Sequence, residues 1–176
     1  MLGLRTDNEK QKLHFLQDFD APVKNVFAFF SDHNRLSEIY PGFIKRIIDS
    51  PNPANCNDVG SSRLIISFPV FFQETVTQYI EYKYLEYKIT LGSPLKNHIG
   101  KMNFIELSPN KTRLDYIIEF EPFIPYTGFI INQINTKVVQ DALSTLARKF
   151  KQNPNYKNKK NILIIVGFIL YCIKSV

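Results

Sequence analysis

His98 lies at the same alternating positions as Gly100, Met102 and Phe104, so a strand that turns Met102 and Phe104 inward turns this imidazole inward too. A neutral imidazole in an apolar pocket orients a carbonyl or hydroxyl, or passes a proton near neutral pH. The plainer reading is a His98 solvated at a rim or satisfied by a neighbouring carbonyl. Glu74 shares a face with Phe72, Val76 and Ile80. A carboxylate among such neighbours is a candidate acid or base. The plainer reading is a bulge in the strand, or an ion pair with a cation such as Arg63 across the sheet. Tyr87 goes with Leu85 and Ile89, and Tyr116 with Leu114 and Ile118. Their hydroxyls either meet a ligand in an apolar cavity or belong to core aromatics reaching the edge. Tyr40 is a gate residue at a mouth, or an aromatic that ends a helix. Lys96 and Asn97 belong to an exposed rim.

Other chemistry is excluded by pattern. The chain has no GxSxG, phosphate-binding loop, HExxH or GxGxxG. Its three histidines, His14, His33 and His98, fall in different elements without metal-ligand spacing, so no metal and no cofactor are expected. Cys56 and Cys172 lie too far apart for a CxxC site and are too few for a disulfide framework, which suits a reducing compartment.

The elements that must position these residues are legible from periodicity. Gln11–Phe19 alternates as a strand. Asp20 is a good cap for a helix over Pro22–Ser31, and a second short helix over Asn34–Ile39 stops at Tyr40-Pro41-Gly42. Strands follow over 43–49, 61–68, 71–80, 82–91, 95–107 and 112–121, separated by turn residues and by the long loop 50–60. Residues 126–152 carry apolar side chains at helical spacing, including Ile134, Val138, Leu143, Leu146 and Phe150. The order β-α-α-β-β-β-β-β-β-α predicts an α+β fold, a curved antiparallel sheet wrapped around a long C-terminal helix.

A sheet so curved around one helix is hard to fill at uniform density. The residues expected to face inward include Leu64, Ile66, Met102, Phe104 and Ile118 from the strands, with Ile134 and Val138 from the helix. Either they fill the space, or, with Tyr40, Tyr87, His98 and Tyr116, they line a pocket for a lipophilic molecule.

Residues 20–43, DAPVKNVFAFFSDHNRLSEIYPGF, and the strands over 72–104 resemble the START-like (SRPBCC) superfamily in its bacterial polyketide cyclase/dehydrase and lipid-transport branch. The helix-grip fold is shared with the birch-pollen allergen family, and the resemblance covers roughly residues 12–151. It implies a ligand-binding domain over residues 11–152 whose cavity takes a lipid, a quinone or a polyketide-like compound. It also leaves open a cyclase/dehydrase-type enzyme using His98, Glu74 or a tyrosine as acid or base, and a protein-interaction module with a closed core.

The formal charge of +6 is not spread evenly. Residues 1–147 carry 15 Lys and Arg against 16 Asp and Glu, so this body has no nucleic-acid footprint. The excess lies in Arg148, Lys149, Lys151 and a basic linker, residues 153–161, with Lys157, Lys159 and Lys160. Beyond it, residues 162–176 form a hydrophobic tail whose run from Ile162 through Phe168 to Ile173 is uncharged but shorter than the ~20 residues of a full span. Membrane attachment with the domain on the cytoplasmic side is the first expectation for this tail, docking on the domain or a partner the second, and a functionless extension the third. The start of the chain lacks the apolar stretch of a signal peptide.

Overall fold

The computed structural model describes residues 10–68, 70–93, 95–124 and 126–156. The tail residues Lys157, Lys159, Lys160, Ile162, Phe168 and Ile173 fall outside them. Seven strands form one antiparallel sheet: β1 (Gln11–Phe19), β2 (Phe43–Ile48), β3 (Ser62–Ser67), β4 (Val70–Ile80), β5 (Tyr84–Leu91), β6 (Leu95–Ser108) and β7 (Lys111–Pro122). Their spatial order is β1-β7-β6-β5-β4-β3-β2, so the first strand closes beside the last and the rest is a meander. Register breaks in β4–β5 and β6–β7 add local twist and bend the sheet. Two helices complete the fold, α1 (Val23–Ser31) and α2 (Gly128–Gln152), with a 3-10 turn over His33–Glu38 after α1. This is the helix-grip arrangement.

The helix starts differ from the sequence expectation. Pro22, not Asp20, occupies the capping position of α1, and no side chain caps it. Asp32 instead caps the 3-10 turn, accepting from the Asn34 backbone N–H at 3.0 Å. α2 begins at Gly128 because Tyr126 has φ +68°, a left-handed conformation that no helix continues through.

The core is concentrated at one end. Phe27 and Phe30 of α1 meet Phe104 of β6, with ring centroids 5.0 and 5.9 Å apart, and Phe19 meets Phe150 of α2 at 5.9 Å. All five rings are buried, each contributing about 1.5–3 kcal/mol. α2 adds Val139, at its middle, and Leu143 and Leu146, from its C-terminal half, to this core. Its N-terminal half is different: Phe129, Ile130 and Ile134 are more than half exposed. The helix is therefore packed into the core towards its C-terminal end, while its first turns, held at the buried Gly128 against Gln11 and Pro122, leave large apolar side chains in solvent.

Residues 153–156 belong to the body rather than to a linker. The Tyr156 hydroxyl donates to Glu38 Oε2 at 2.7 Å, and its ring packs against Phe150. An aromatic with a hydrogen-bonding tip has given this polar stretch a place to dock.

Candidate ligand-binding cavity

The cavity lies under the N-terminal half of α2, against the inner face of the sheet, with a volume of about 360 Å³. That is at the small end of the range for small-molecule pockets. Of the residues expected there, Tyr40, Tyr87, His98, Met102, Tyr116 and Ile118 line it, as do Ile134 and Val138. Three others do not. Leu64 and Ile66 are corrected by register: Arg63 pairs with Glu74 and Ile65 with Phe72, so Arg63, Ile65 and Ser67 face the cavity and their neighbours face out. Phe104 points inward but lies deeper, where Phe27 and Phe30 enclose it in the solid core. Ile65, Leu36 and Ile44 also line the cavity, beyond the residues expected there, whereas Arg63 enters it through the cross-sheet ion pair with Glu74 that the sequence offers as the plainer reading of that carboxylate. The usable signal was the strand pairing of Arg63 with Glu74, both buried.

The polar groups form a connected set. Arg63 Nε and Nη2 both donate to Glu74 Oε2, at 2.7 and 2.6 Å. Arg63 Nη1 lies 3.2 Å from His33 Nδ1, and His33 Nε2 lies 2.8 Å from Ser61 Oγ. Because the guanidinium only donates, His33 Nδ1 accepts and its Nε2–H donates to the serine. Burial, then the positive charges of Arg63 and Arg46, push the His33 pKa down to about 3, so this ring is neutral. Burial opposes the charge on Arg63, but the Glu74 carboxylate outweighs it and holds the guanidinium pKa above its ordinary value. The same guanidinium sits over the Tyr87 ring, 4.6 Å from its centroid.

Beyond the ion pair, the Tyr87 and Tyr116 hydroxyls share a hydrogen bond. Burial first, together with the neighbouring Glu74 carboxylate, raises both pKa values, and burial raises that of Tyr40. His98 moves the other way: burial lowers its pKa despite the opposing pull of Glu74. All four groups are therefore neutral at pH 7. Two polar atoms in this cavity are buried without a well-formed hydrogen bond, the Tyr40 hydroxyl oxygen and His98 Nδ1, although Tyr116 is a neighbour of the first. A lost hydrogen bond of this kind costs about 1–3 kcal/mol.

A wider groove of about 690 Å³ lies at the other end, beside Lys24, Tyr79 and Tyr82. Its mixed polar walls include neither of the two unsatisfied atoms, and it is not the candidate site. No cluster of three or more metal-ligating side chains occurs among the described residues.

Residues 11–153 match the family model for polyketide cyclase/dehydrase and lipid transport. The chain belongs to this family. The structural likenesses agree on the fold. A START superfamily protein from Mycobacterium smegmatis superposes with a TM-score of 0.67 at 14% identity, covering 80% of this chain and 97% of its own. The Zhui aromatase/cyclase from Streptomyces sp. R1128 gives 0.62 at 10% identity over 82% and 98%. Norcoclaurine synthase from Thalictrum flavum, in complex with dopamine and hydroxybenzaldehyde, gives 0.58 at 12% identity over 87% and 91%. No curated protein matched the chain significantly in sequence. At these identities the likeness carries the fold alone, and no substrate.

Proposed function

We propose that this protein binds an uncharged, mainly apolar small molecule with a hydroxyl or carbonyl at one end. The observation that carries this is the pair of atoms without a well-formed hydrogen bond, Tyr40 Oη and His98 Nδ1, inside a mainly apolar cavity whose one ion pair, Arg63–Glu74, is internally compensated. A hydroxyl or carbonyl on the ligand supplies each with a well-formed hydrogen bond. Charge balance supports a neutral ligand: the Arg63 cation and the Glu74 anion cancel, and the surrounding His and Tyr side chains are neutral. An anion entering here would find Arg63 already engaged and would lose its hydration. Lipid alcohols, quinones and polyketide-like phenols fit this description. Glu74, the carboxylate that acid/base catalysis would use, has one oxygen committed twice to Arg63, which favours a carrier over an enzyme.

Two measurements test the reading. Organic extraction of the full chain purified from its native host, followed by mass spectrometry, should yield a stoichiometric neutral lipophile. Titration with 1-naphthol, naphthalene and 1-naphthoate should rank them in that order. Equal affinity for naphthol and naphthalene would remove the polar recognition, and tighter binding of naphthoate would reverse the charge argument.

A further inference from the structure

The cavity opens at the end of the molecule where the apolar surface is concentrated. Antiparallel register places the β3–β4 tip (Ser67 opposite Val70), the β5–β6 turn and the end of β7 (Leu95 opposite Pro122) together. The start of α2 joins them, because Gly128 lies against Pro122 and Gln11. Ser67, Val70, Ser93, Leu95 and Ile134 line the cavity from this end. Around it, large side chains point into solvent: Phe68 is 96% exposed, Tyr126 74%, Leu91 68%, Phe71 66%, Phe129 64% and Phe123 61%. Soluble surfaces scatter such residues singly, and a contiguous set marks a contact surface.

Charge identifies the partner. Residues 66–73, 91–97 and 123–136 contain no acid and one base, Lys96. Its Nζ sits 4.7 Å from the centroid of the Phe123 ring, with the stem laid along apolar surface. A protein interface typically surrounds its apolar centre with a polar rim. Here the apolar groups are projecting tips from three separate segments that hold no acid of their own, with Lys96 and Tyr126 beside them and the nearby Glu121 carboxylate taken up by Asn97, which donates to it at 3.0 Å. That pattern matches the layers of a bilayer, where acyl chains lie below and aromatic and cationic groups meet the head groups.

We infer that this end of the molecule inserts into the acyl-chain region of a lipid bilayer and brings the cavity opening onto the membrane surface. The insertion goes beyond ligand recognition and is independent of which molecule the cavity takes. The surface is built from residues other than the C-terminal 162–176, and α2 carries the described chain about 37 Å along its axis from this end.

The chain contains no tryptophan, so a single introduced one reports its own position. Phe68→Trp, Phe129→Trp and, as a control on the outer face of β1, Leu16→Trp would be made in the full chain. Each would be mixed with phosphatidylcholine vesicles whose acyl chains are brominated, in about 1 M salt, where the Debye length is about 3 Å. The tryptophan of Phe68→Trp and of Phe129→Trp should shift to shorter wavelength and be quenched, while that of Leu16→Trp should not. In Phe68→Ser/Phe129→Ser, vesicle partitioning should fall at least about tenfold. Flotation of Phe129→Trp with the vesicles while its tryptophan stays unquenched would assign attachment to the C-terminal residues and overturn the inference. A concentration-dependent blue shift without vesicles would assign the face to a second copy and overturn it. Neither flotation nor a shift would also overturn it and leave a soluble partner as the occupant.

Discussion

Tyr87 occupies the space in which Gly100 has no side chain. The two are paired across β5 and β6, and a Cβ at Gly100 would overlap the tip of the tyrosine ring. This packs the ring beneath the Arg63 guanidinium and brings its hydroxyl to Tyr116. Gly100→Ala should therefore displace Tyr87 rather than strain the backbone. The expected cost is about 1–3 kcal/mol of stability, as for other overpacked cores. Binding of 1-naphthol should weaken with it. Urea denaturation and fluorescence titration on the same sample check both, and an unchanged variant would show that the ring has room to move.

The Arg63–Glu74 pair predicts a non-additive result. Both side chains are buried, so removing one leaves the other charge without compensation. Arg63→Met and Glu74→Leu should each cost about 3–5 kcal/mol, and the double variant much less than their sum. Glu74→Gln should also leave an uncompensated guanidinium at the cavity wall. It should shift the ligand preference from 1-naphthol towards 1-naphthoate. A double-mutant cycle with no coupling would contradict the pairing.

How far this was legible in the sequence differs residue by residue. The strand over Gln11–Phe19 alternates cleanly, and its observed ends agree with the pattern. In β3 the pattern was ambiguous: SRLIIS has apolar residues on both faces, with Leu64 and Ile66 on one and Ile65 on the other. The more apolar face is that of Leu64 and Ile66, and it conflicts with the cross-sheet pairing of Arg63 with Glu74 that the sequence also offers. Only the cross-strand partner of Arg63, a buried glutamate, makes the inward placement affordable. His98 shows a related limit. Alternation gave its face, but the register break between Lys96 and Ile99 and the left-handed Asn97 decide how it enters the cavity. Neither is written in hydrophobic periodicity.

His33 makes stability pH-dependent in a definite direction. The folded protein holds its pKa near 3, while an unfolded chain titrates it near 6.5. As pH falls through about 6.5, the unfolded state takes up a proton that the fold refuses, so stability declines and continues to decline towards pH 3. Buried His98, also shifted down, acts in the same sense. The free energy of unfolding should drop by about 2 kcal/mol between pH 7 and pH 5. Asp18 and Glu119, whose pKa values are lowered by Arg113 and Lys10 respectively, add their losses only at lower pH. Urea titrations at the two pH values check this, and His33→Gln should flatten the dependence. Equal stability at pH 7 and pH 5 would rule out a buried neutral His33.

Tyr40 separates stability from binding. Its hydroxyl is buried without a well-formed hydrogen bond, so the empty fold carries the cost of desolvating it. Tyr40→Phe removes the oxygen and keeps the ring, and the ligand-free protein should become more stable by about 1 kcal/mol. Affinity for 1-naphthol should fall about tenfold, towards that of naphthalene, because the ligand hydroxyl loses a partner. A hydroxyl with a purely structural role would lower stability when removed, without a selective loss of 1-naphthol over naphthalene. Thermal melts of the empty protein, paired with titrations of both probes, therefore decide the assignment. A Tyr40→Phe protein that is less stable and binds 1-naphthol as before would place the hydroxyl in the fold's own hydrogen bonding and take it out of the site.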